Sequence, residues 1–466
     1  MQISTQFVAL VATVILALSS ADARPVRRNP SGMVTLPMRL VQRNQHLPVE
    51  IRHQQHINRA ERLVARAAGL EGPSDVQLRI NLARRESYLS LVEKRFNIPP
   101  PDYGLPAGET DGIVSNVVEE NDATSEGNAT LAPMSSEVEP DGPDTSFLVT
   151  VPIGTPSRDF NIILDSGSGD FWVESSTNCT SQNGGGCGNH TFLGEDNSAS
   201  LVNTRQPFSD SYGSGAASGD IITDTIVLGG MVLGNHSFGL ANIVSQSFSG
   251  DLVADGLMGL GKQGLSAQKV LTPVQSLRNA GFISAAITSY QLPRSVDHTD
   301  GEVTFGALDD TKFDESTLVT LEATNDAFWI TQLGGVTVDG ATVALSGNRT
   351  ALMDTGTTLL VVPSTDIAGI HAKIPGAKQT SSGSFTVPCN TNASVALEFG
   401  GKSFPINPQD LTFASGGRTT GDCTSGIGAF APGQTPTQWL VGGSFLKSVY
   451  FSTNVDANTI TLAQPV

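Results

Sequence analysis

"IILDSGSGDFWV" occupies residues 162–173, and "ALMDTGTTLLVV" occupies residues 351–362. Each ends an apolar run on an aspartate, Asp165 or Asp354, continues with small hydroxyl and glycine residues, and then turns apolar again. A lone Asp-Ser-Gly or Asp-Thr-Gly is ordinary turn chemistry. Two features set this pair apart. The end of an apolar strand is a costly place for an unpaired charge. Each aspartate is also followed by a distant apolar pair and glycine: Leu257-Met258-Gly259 after Asp165, and Leu440-Val441-Gly442 after Asp354. The same order occurs twice, which predicts a diverged internal repeat and two similar lobes whose turns meet face to face.

Such a meeting has a specific chemistry. Two carboxylates within about 3 Å cannot both ionise, so they share a proton and their apparent pKa values separate. At acid pH one is ionised and can take a proton from a water, while the other is protonated and can hydrogen-bond a peptide carbonyl. Gly167 and Gly356 permit close approach, and Ser166, Ser168, Thr355 and Thr357 are expected to fix the carboxylate oxygens with their hydroxyls.

The rest of the chain sets the context. Phe7 to Leu18 is apolar but too short to span a membrane, and Ala21-Asp22-Ala23 follows with a small-x-small cleavage pattern. Residues 1–23 are therefore expected to be a signal peptide, and the protein to be secreted or vacuolar, with no membrane anchor. Four cysteines suit that compartment, and sequence proximity favours Cys179 with Cys187 and Cys389 with Cys423 among three connectivities. Six Asn-x-Ser/Thr triplets, at Asn128, Asn178, Asn189, Asn235, Asn348 and Asn392, agree with a glycoprotein. Neither CxxC nor HExxH occurs, and the histidines are scattered, so no metal or other cofactor is expected.

Charge divides the chain. Residues 24–95 hold 14 Arg and Lys against 6 Asp and Glu, whereas residues 96–466 hold 13 against 38. An exported chain meets little nucleic acid, so the economical partner for the basic segment is the acidic remainder of the same polypeptide. "HINRAERLVARAAGLEG" (56–72) has the helical spacing of Ile57, Leu63, Val64 and Ala67 and ends on glycine. Residues 96–145, acidic and poor in apolar side chains, are expected to form a disordered linker after the dibasic Lys94-Arg95. From Ser146 onward, short Val, Ile, Thr and Phe runs alternate with Gly, Asn and Ser turns, the pattern of an all-β chain with few helices. The clearest helix there is "TPVQSLRNAG", with Thr272 at the N-cap, Pro273 at N1, Gln275 completing a capping box and Gly281 as the stop.

These segments together resemble the pepsin-like aspartic proteases from about Ser146 to Val466. The two aspartate segments are similar to that family's active-site segments, which implies catalytic aspartates at Asp165 and Asp354. "YGSG" (212–215) resembles the flap that closes over substrate, implying Tyr212, Gly213 and Ser214 as flap residues and Trp172 as the partner of the flap tyrosine. "ADGLMGLG" and "WLVGGSF" resemble the apolar-apolar-Gly elements, and "VTLPMRLVQR" (34–43) resembles the opening of a basic prosegment. The resemblance implies a bilobal all-β fold with a cleft between pseudo-twofold-related lobes, at 146–310 and 311–466. It also implies a monomeric endopeptidase acting on polypeptides at acid pH, with bulky apolar residues preferred around the cut. Residues 24–95 would be a propeptide acting as an intramolecular inhibitor, with Lys94, Arg39 or Arg43 contacting the aspartates. Two departures stand out: Ser166 where threonine is usual, and Gly443 where aspartate is usual, which bears on local hydrogen bonding.

A protease-like binding protein without catalysis is the alternative; it would be expected to lack an aspartate or a hydroxyl at these positions, and all are present. A glycoside hydrolase needs its carboxylates about 5 to 9.5 Å apart and has no use for the duplicated turn. A serine hydrolase is disfavoured because no G-x-S-x-G occurs.

Overall fold

The computed structural model describes residues 32–42, 47–92, 145–182, 184–212, 215–250, 253–294, 301–380, 382–414, 421–431 and 437–466. The expected signal peptide, the linker up to residue 144, Asn128, Arg43, Lys94, Gly213 and Ser214 lie outside them.

The basic segment contributes strand β1 (Val34–Gln42) and helices α1 (Val49–Ala67) and α2 (Asp75–Val92). The first half of the remainder forms β2 (Thr145–Ile153), β3 (Arg158–Asp165), β4 (Phe171–Glu174), β5 (Val202–Tyr212), β6 (Gly215–Leu228), β7 (Met231–Val244) and β8 (Gly256–Gly259). Helix α3 (Pro273–Asn279) follows, with the capping box of Thr272 and Gln275 and the N1 proline that its sequence predicts. Strands β9 (Ile287–Gln291) and β10 (Gly301–Phe305) lead into the second half. That half is built on β11 (Ile330–Leu333), β12 (Arg349–Met353), β13 (Leu360–Val362), β14 (Ile427–Ala429) and β15 (Gln438–Val441), and it closes with β16 (Tyr450–Asn454) and β17 (Thr459–Ala463).

The internal repeat is a repeat of strand pairing. In the first half β3 runs parallel to β8, with Asp165 opposite Gly259, and β4 runs antiparallel to β8, with Trp172 opposite Leu257. In the second half β12 runs parallel to β15, with Met353 opposite Val441, and β13 runs antiparallel to β15, with Leu360 opposite Val441. The spacing between each aspartate and its distant glycine is thus the register of one central strand inserted between the two limbs of an aspartate-bearing turn. These central strands are buried on both faces, which is why they read as continuous apolar runs instead of alternating ones.

The largest sheet crosses the whole molecule. It runs from β17 and β16 through β9 and β10 to β1, then through β2, β3, β8, β4, β7 and β6 to β5. The expected lobe boundary at 310/311 is therefore bridged by backbone pairing, since β16 pairs with β9. Strand β1 sits in the middle: Val34–Met38 pair with β10, and Arg39–Gln42 pair with β2. The basic segment is thus woven into the sheet by main-chain bonds as well as drawn by charge. One apolar core, with Phe160, Leu164, Phe238 and Met258 in the first half and Val336, Leu397, Trp439 and Phe451 in the second, fills the interior. Both expected disulfides form, Cys179–Cys187 and Cys389–Cys423, each closing a local loop. No helix among the described residues is long and apolar enough to cross a membrane.

Candidate active site

The two aspartates end β3 and follow β12, and both are fully buried where the halves of the molecule meet. Their loops carry the same hydrogen bonds. Asp165 Oδ1 accepts from the Gly167 backbone N–H at 3.0 Å and Oδ2 from the Ser168 hydroxyl at 2.7 Å. Asp354 Oδ1 accepts from the Gly356 N–H at 2.9 Å and Oδ2 from the Thr357 hydroxyl at 2.5 Å. Glycine is required in both turns because a Cβ at Gly167 would run into Asp354 Oδ1, and one at Gly356 into Asp165 Oδ1.

Ser166 and Thr355 act differently from the expectation that all four hydroxyls hold the carboxylates. They lock the loops together: the Ser166 N–H donates to Thr355 Oγ1 at 3.0 Å, and the Thr355 N–H donates to Ser166 Oγ at 2.9 Å. Each hydroxyl then donates across to the chain before the other aspartate, Ser166 to the Met353 carbonyl at 3.2 Å and Thr355 to the Leu164 carbonyl at 3.1 Å. Only a hydroxyl is needed for this, so serine serves as well as threonine. At Gly443 the backbone N–H donates to the Thr357 carbonyl at 2.7 Å, and the next hydroxyl, Ser444 Oγ, donates to the Thr358 and Gly426 carbonyls at 3.0 and 3.2 Å. The second loop is anchored without a carboxylate at position 443.

A guanidinium lies on the pair. Arg59 Nη2 donates to Asp165 Oδ1 at 2.8 Å, and Arg59 Nε lies 3.3 Å from Asp354 Oδ2 and 3.0 Å from Thr357 Oγ1. This corrects the expectation for Arg39, which instead donates to Asn161 Oδ1 at 2.6 Å; Lys94 and Arg43, the other two expected contacts, lie outside the described residues. The physical reason is the placement of α1, which lays Arg59 directly over the aspartates. Apolar side chains Ile57, Ala60 and Val64 of that helix pack on Leu265, Phe328, Leu352, Leu359 and Leu440 around the cleft. Arg62 Nη1 donates to the Tyr212 carbonyl at 2.8 Å on one side of the cleft, while Glu61 accepts from the Ala431 N–H at 2.8 Å on the other. The spacing of Arg59, Arg62 and Arg66 along one amphipathic helix was the available sequence signal.

The electrostatics separate the two aspartates. Burial drives Asp165 above the ordinary carboxylate range, and the neighbouring Asp354 adds to this against the opposing pull of Arg59. Burial pushes Asp354 the same way, but Arg59, the Thr357 hydroxyl and Asp165 outweigh it and hold that carboxyl below its usual value. Burial also disfavours the charge on Arg59, yet the two carboxylates more than offset it and keep the guanidinium protonated. One ionised and one protonatable carboxyl in hydrogen-bond reach of each other can activate a water and polarise a carbonyl.

The aromatic pair expected above the site is in contact, with Trp172 Nε1 donating to Tyr212 Oη at 2.8 Å. Tyr212 ends β5, the outer strand of a hairpin with β6, and both rings pack edge-on against Phe248.

Comparison with known proteins agrees with this geometry. Residues 146–465 match the eukaryotic aspartyl protease family. The chain is 34% identical to a probable aspartic-type endopeptidase of Arthroderma benhamiae over 71% of its own length and 63%, under two thirds, of that protein's length. It is 31% identical to pepsin A of Sus scrofa over 69% of this chain and 81% of the pepsin, and 33% identical to rhizopuspepsin of Rhizopus chinensis over 69% and 79%. A fold built on two interlocked Asp-Ser/Thr-Gly turns, a buried carboxylate pair and this extended match make the chain a member of the eukaryotic aspartyl protease family.

Proposed function

We propose that the protein is an exported aspartic endopeptidase that hydrolyses polypeptides at acid pH and is made as a latent precursor. The observation that carries this reading is the buried Asp165–Asp354 pair, with matching hydrogen bonds on each carboxylate and a single guanidinium bridging them. In the uncovered cleft a water occupies the place of that guanidinium. The ionised carboxylate takes a proton from the water as its oxygen attacks the scissile carbonyl carbon, and the protonated carboxyl hydrogen-bonds the carbonyl oxygen. The tetrahedral intermediate collapses when the amide nitrogen is protonated and the C–N bond breaks, with no acyl-enzyme. Tyr212, with Gly213 and Ser214 beyond it, closes over the substrate, and Trp172 holds the tyrosine.

In the precursor, residues 24–95 act as the inhibitor and residues 96–145 as the tether. Residues 146–310 and 311–466 form the two lobes. Arg59 takes the substrate's place, and an arginine stays charged at any pH the protein meets, so uncovering depends on groups facing it and α1. The test is digestion of a denatured protein by the full chain at neutral and acid pH, with release of residues 24–95 followed in parallel. Cleavage that begins only on acidification, together with loss of the basic segment, is the expected result. Equal digestion at neutral pH with the segment still attached would contradict the latency, and no digestion at any pH would favour a binding protein.

A further inference from the structure

Beside the aspartate pair, a solvent-open pocket lies between α1 and the hairpin of β5 and β6. Its floor is Gly167–Gly169, which offers almost no side chain, and two carboxylates enter it, Asp170 and Asp210. Asp170 is 2% exposed and fully served: Ser266 Oγ donates at 2.5 Å, and the N–H groups of Ala267 and Gln268 donate at 2.7 and 3.2 Å. Asp210 is 8% exposed, and no donor among the described residues reaches its Oδ2. It stands on β5 two residues before Tyr212, so it belongs to the hairpin that covers the cleft. The cations in the same pocket are Arg59, Arg62 and Arg66 of α1.

We propose that Asp210, with Asp170 beside it, makes this pocket a subsite for a basic side chain, so that the protease favours substrates with arginine or lysine next to the cleaved bond. The proposal rests on the proteolytic reading above and on the departure of α1, whose arginines hold the place of the substrate's cation. An apolar side chain entering the pocket would leave Asp210 Oδ2 buried without a donor, which is costly, whereas a guanidinium or ammonium supplies the donors and the opposite charge. Burial first, and the charge of Asp170 second, push the Asp210 carboxyl up to about 8, with Arg66 opposing. Below about 8 the Asp210 carboxyl therefore holds a proton while the pocket is without a cation, and an incoming guanidinium or ammonium displaces it. The preference differs from the bulky apolar residues that the family resemblance implies, and its origin is a carboxylate on the closing hairpin.

The experiment uses the full chain after acid conversion and a peptide series of one cleavable sequence, varied singly at each position flanking the cut as Arg, Lys, norleucine or Glu. At one position kcat/KM for Arg and Lys should exceed that for norleucine by on the order of tenfold, with Glu the poorest. Asp210→Asn and Asp210→Ser should bring the Arg-to-norleucine ratio within about twofold of unity, and Asp210→Glu should preserve it. Absence of any position favouring a basic side chain in the natural protein would overturn the proposal, as would a preference that survives Asp210→Asn. Cleavage of none of the peptides would overturn the proteolytic reading along with it.

Discussion

Ser166 and Thr355 each donate from backbone and hydroxyl to the other's loop, so four buried bonds hang on two small side chains. Ser166→Ala removes one hydroxyl, leaves the Thr355 N–H without its acceptor, and should cost roughly 1–3 kcal/mol. A lower midpoint in thermal unfolding, with kcat falling more than KM rises, is the expected readout, while Ser166→Thr should keep both near the natural values. Unchanged stability in Ser166→Ala would mean that the interlock carries little. At this scale the sequence was informative: the aspartates and the glycines beside them were legible because their chemistry is short-range and typed by residue, whereas the pairing of Trp172 with Tyr212 came from the family resemblance. The roles of Ser166 and Thr355 as mutual locks were not, since nothing in either segment says which of two adjacent hydroxyls turns toward its own aspartate. Arg59 was missed because a salt bridge across hundreds of residues is set by where a helix lands, and basic residues are common along the whole segment.

In the latent form proposed above, helix α1 is the covering element, and His53 is a buried titrating group on it. That imidazole is 3% exposed, lies edge-on to Phe413 at 5.3 Å between centroids, and faces Arg85 of α2 and its neighbour His56, while its Nε2 has no hydrogen-bond partner among the described residues. Burial chiefly, and then the charges of Arg85 and His56, lower it to about 3 from an ordinary 6.5. The docked helix therefore holds a neutral histidine and the free helix a charged one, so docking loses stability as pH falls below 6.5 and levels off only near 3. Over the two units from 6.5 to 4.5 the loss approaches roughly 2–3 kcal/mol. The aspartate pair contributes with both signs, since the docked state lowers Asp354, which favours docking above the usual carboxylate range, and raises Asp165, which works against it. Glu61, raised by burial, works against it as well. His53→Phe should keep the aromatic contact without the proton, and shift the pH midpoint of conversion downward by about one unit. A midpoint that does not move would assign the trigger to the carboxylates. Sequence periodicity showed α1 as a helix, but only the packing reveals which of its faces is buried and which histidine goes with it.

At the scale of the whole molecule, β1 is the strand that joins β10 to β2 among the described residues, so in the precursor the sheet runs through the basic segment. The sequence indicated a charge match between residues 24–95 and the rest; the main-chain insertion was invisible because a strand's neighbours are chosen by topology and not by local composition. A chain from which residues 24–95 have been deleted leaves β2 and β10 with unpaired edges, which favours aggregation over closure. Its yield of soluble, active protein on refolding from denaturant should be at least about fivefold below that of the full chain, and equal yields would show that another segment fills the gap unaided. The two-lobed plan itself was legible from the repeat, because a register between an aspartate turn and its inserted strand must recur as a spacing in the sequence.

The claim beneath all of this is that Asp165 and Asp354 act as one proton-sharing pair. The direct measurement is peptide cleavage at acid pH by the acid-converted protein and by its Asp165→Asn and Asp354→Asn variants, with thermal unfolding recorded for each. Both substitutions are predicted to lower kcat by at least about a thousandfold while the protein remains folded. Cleavage near the natural rate in either folded variant would place the chemistry elsewhere.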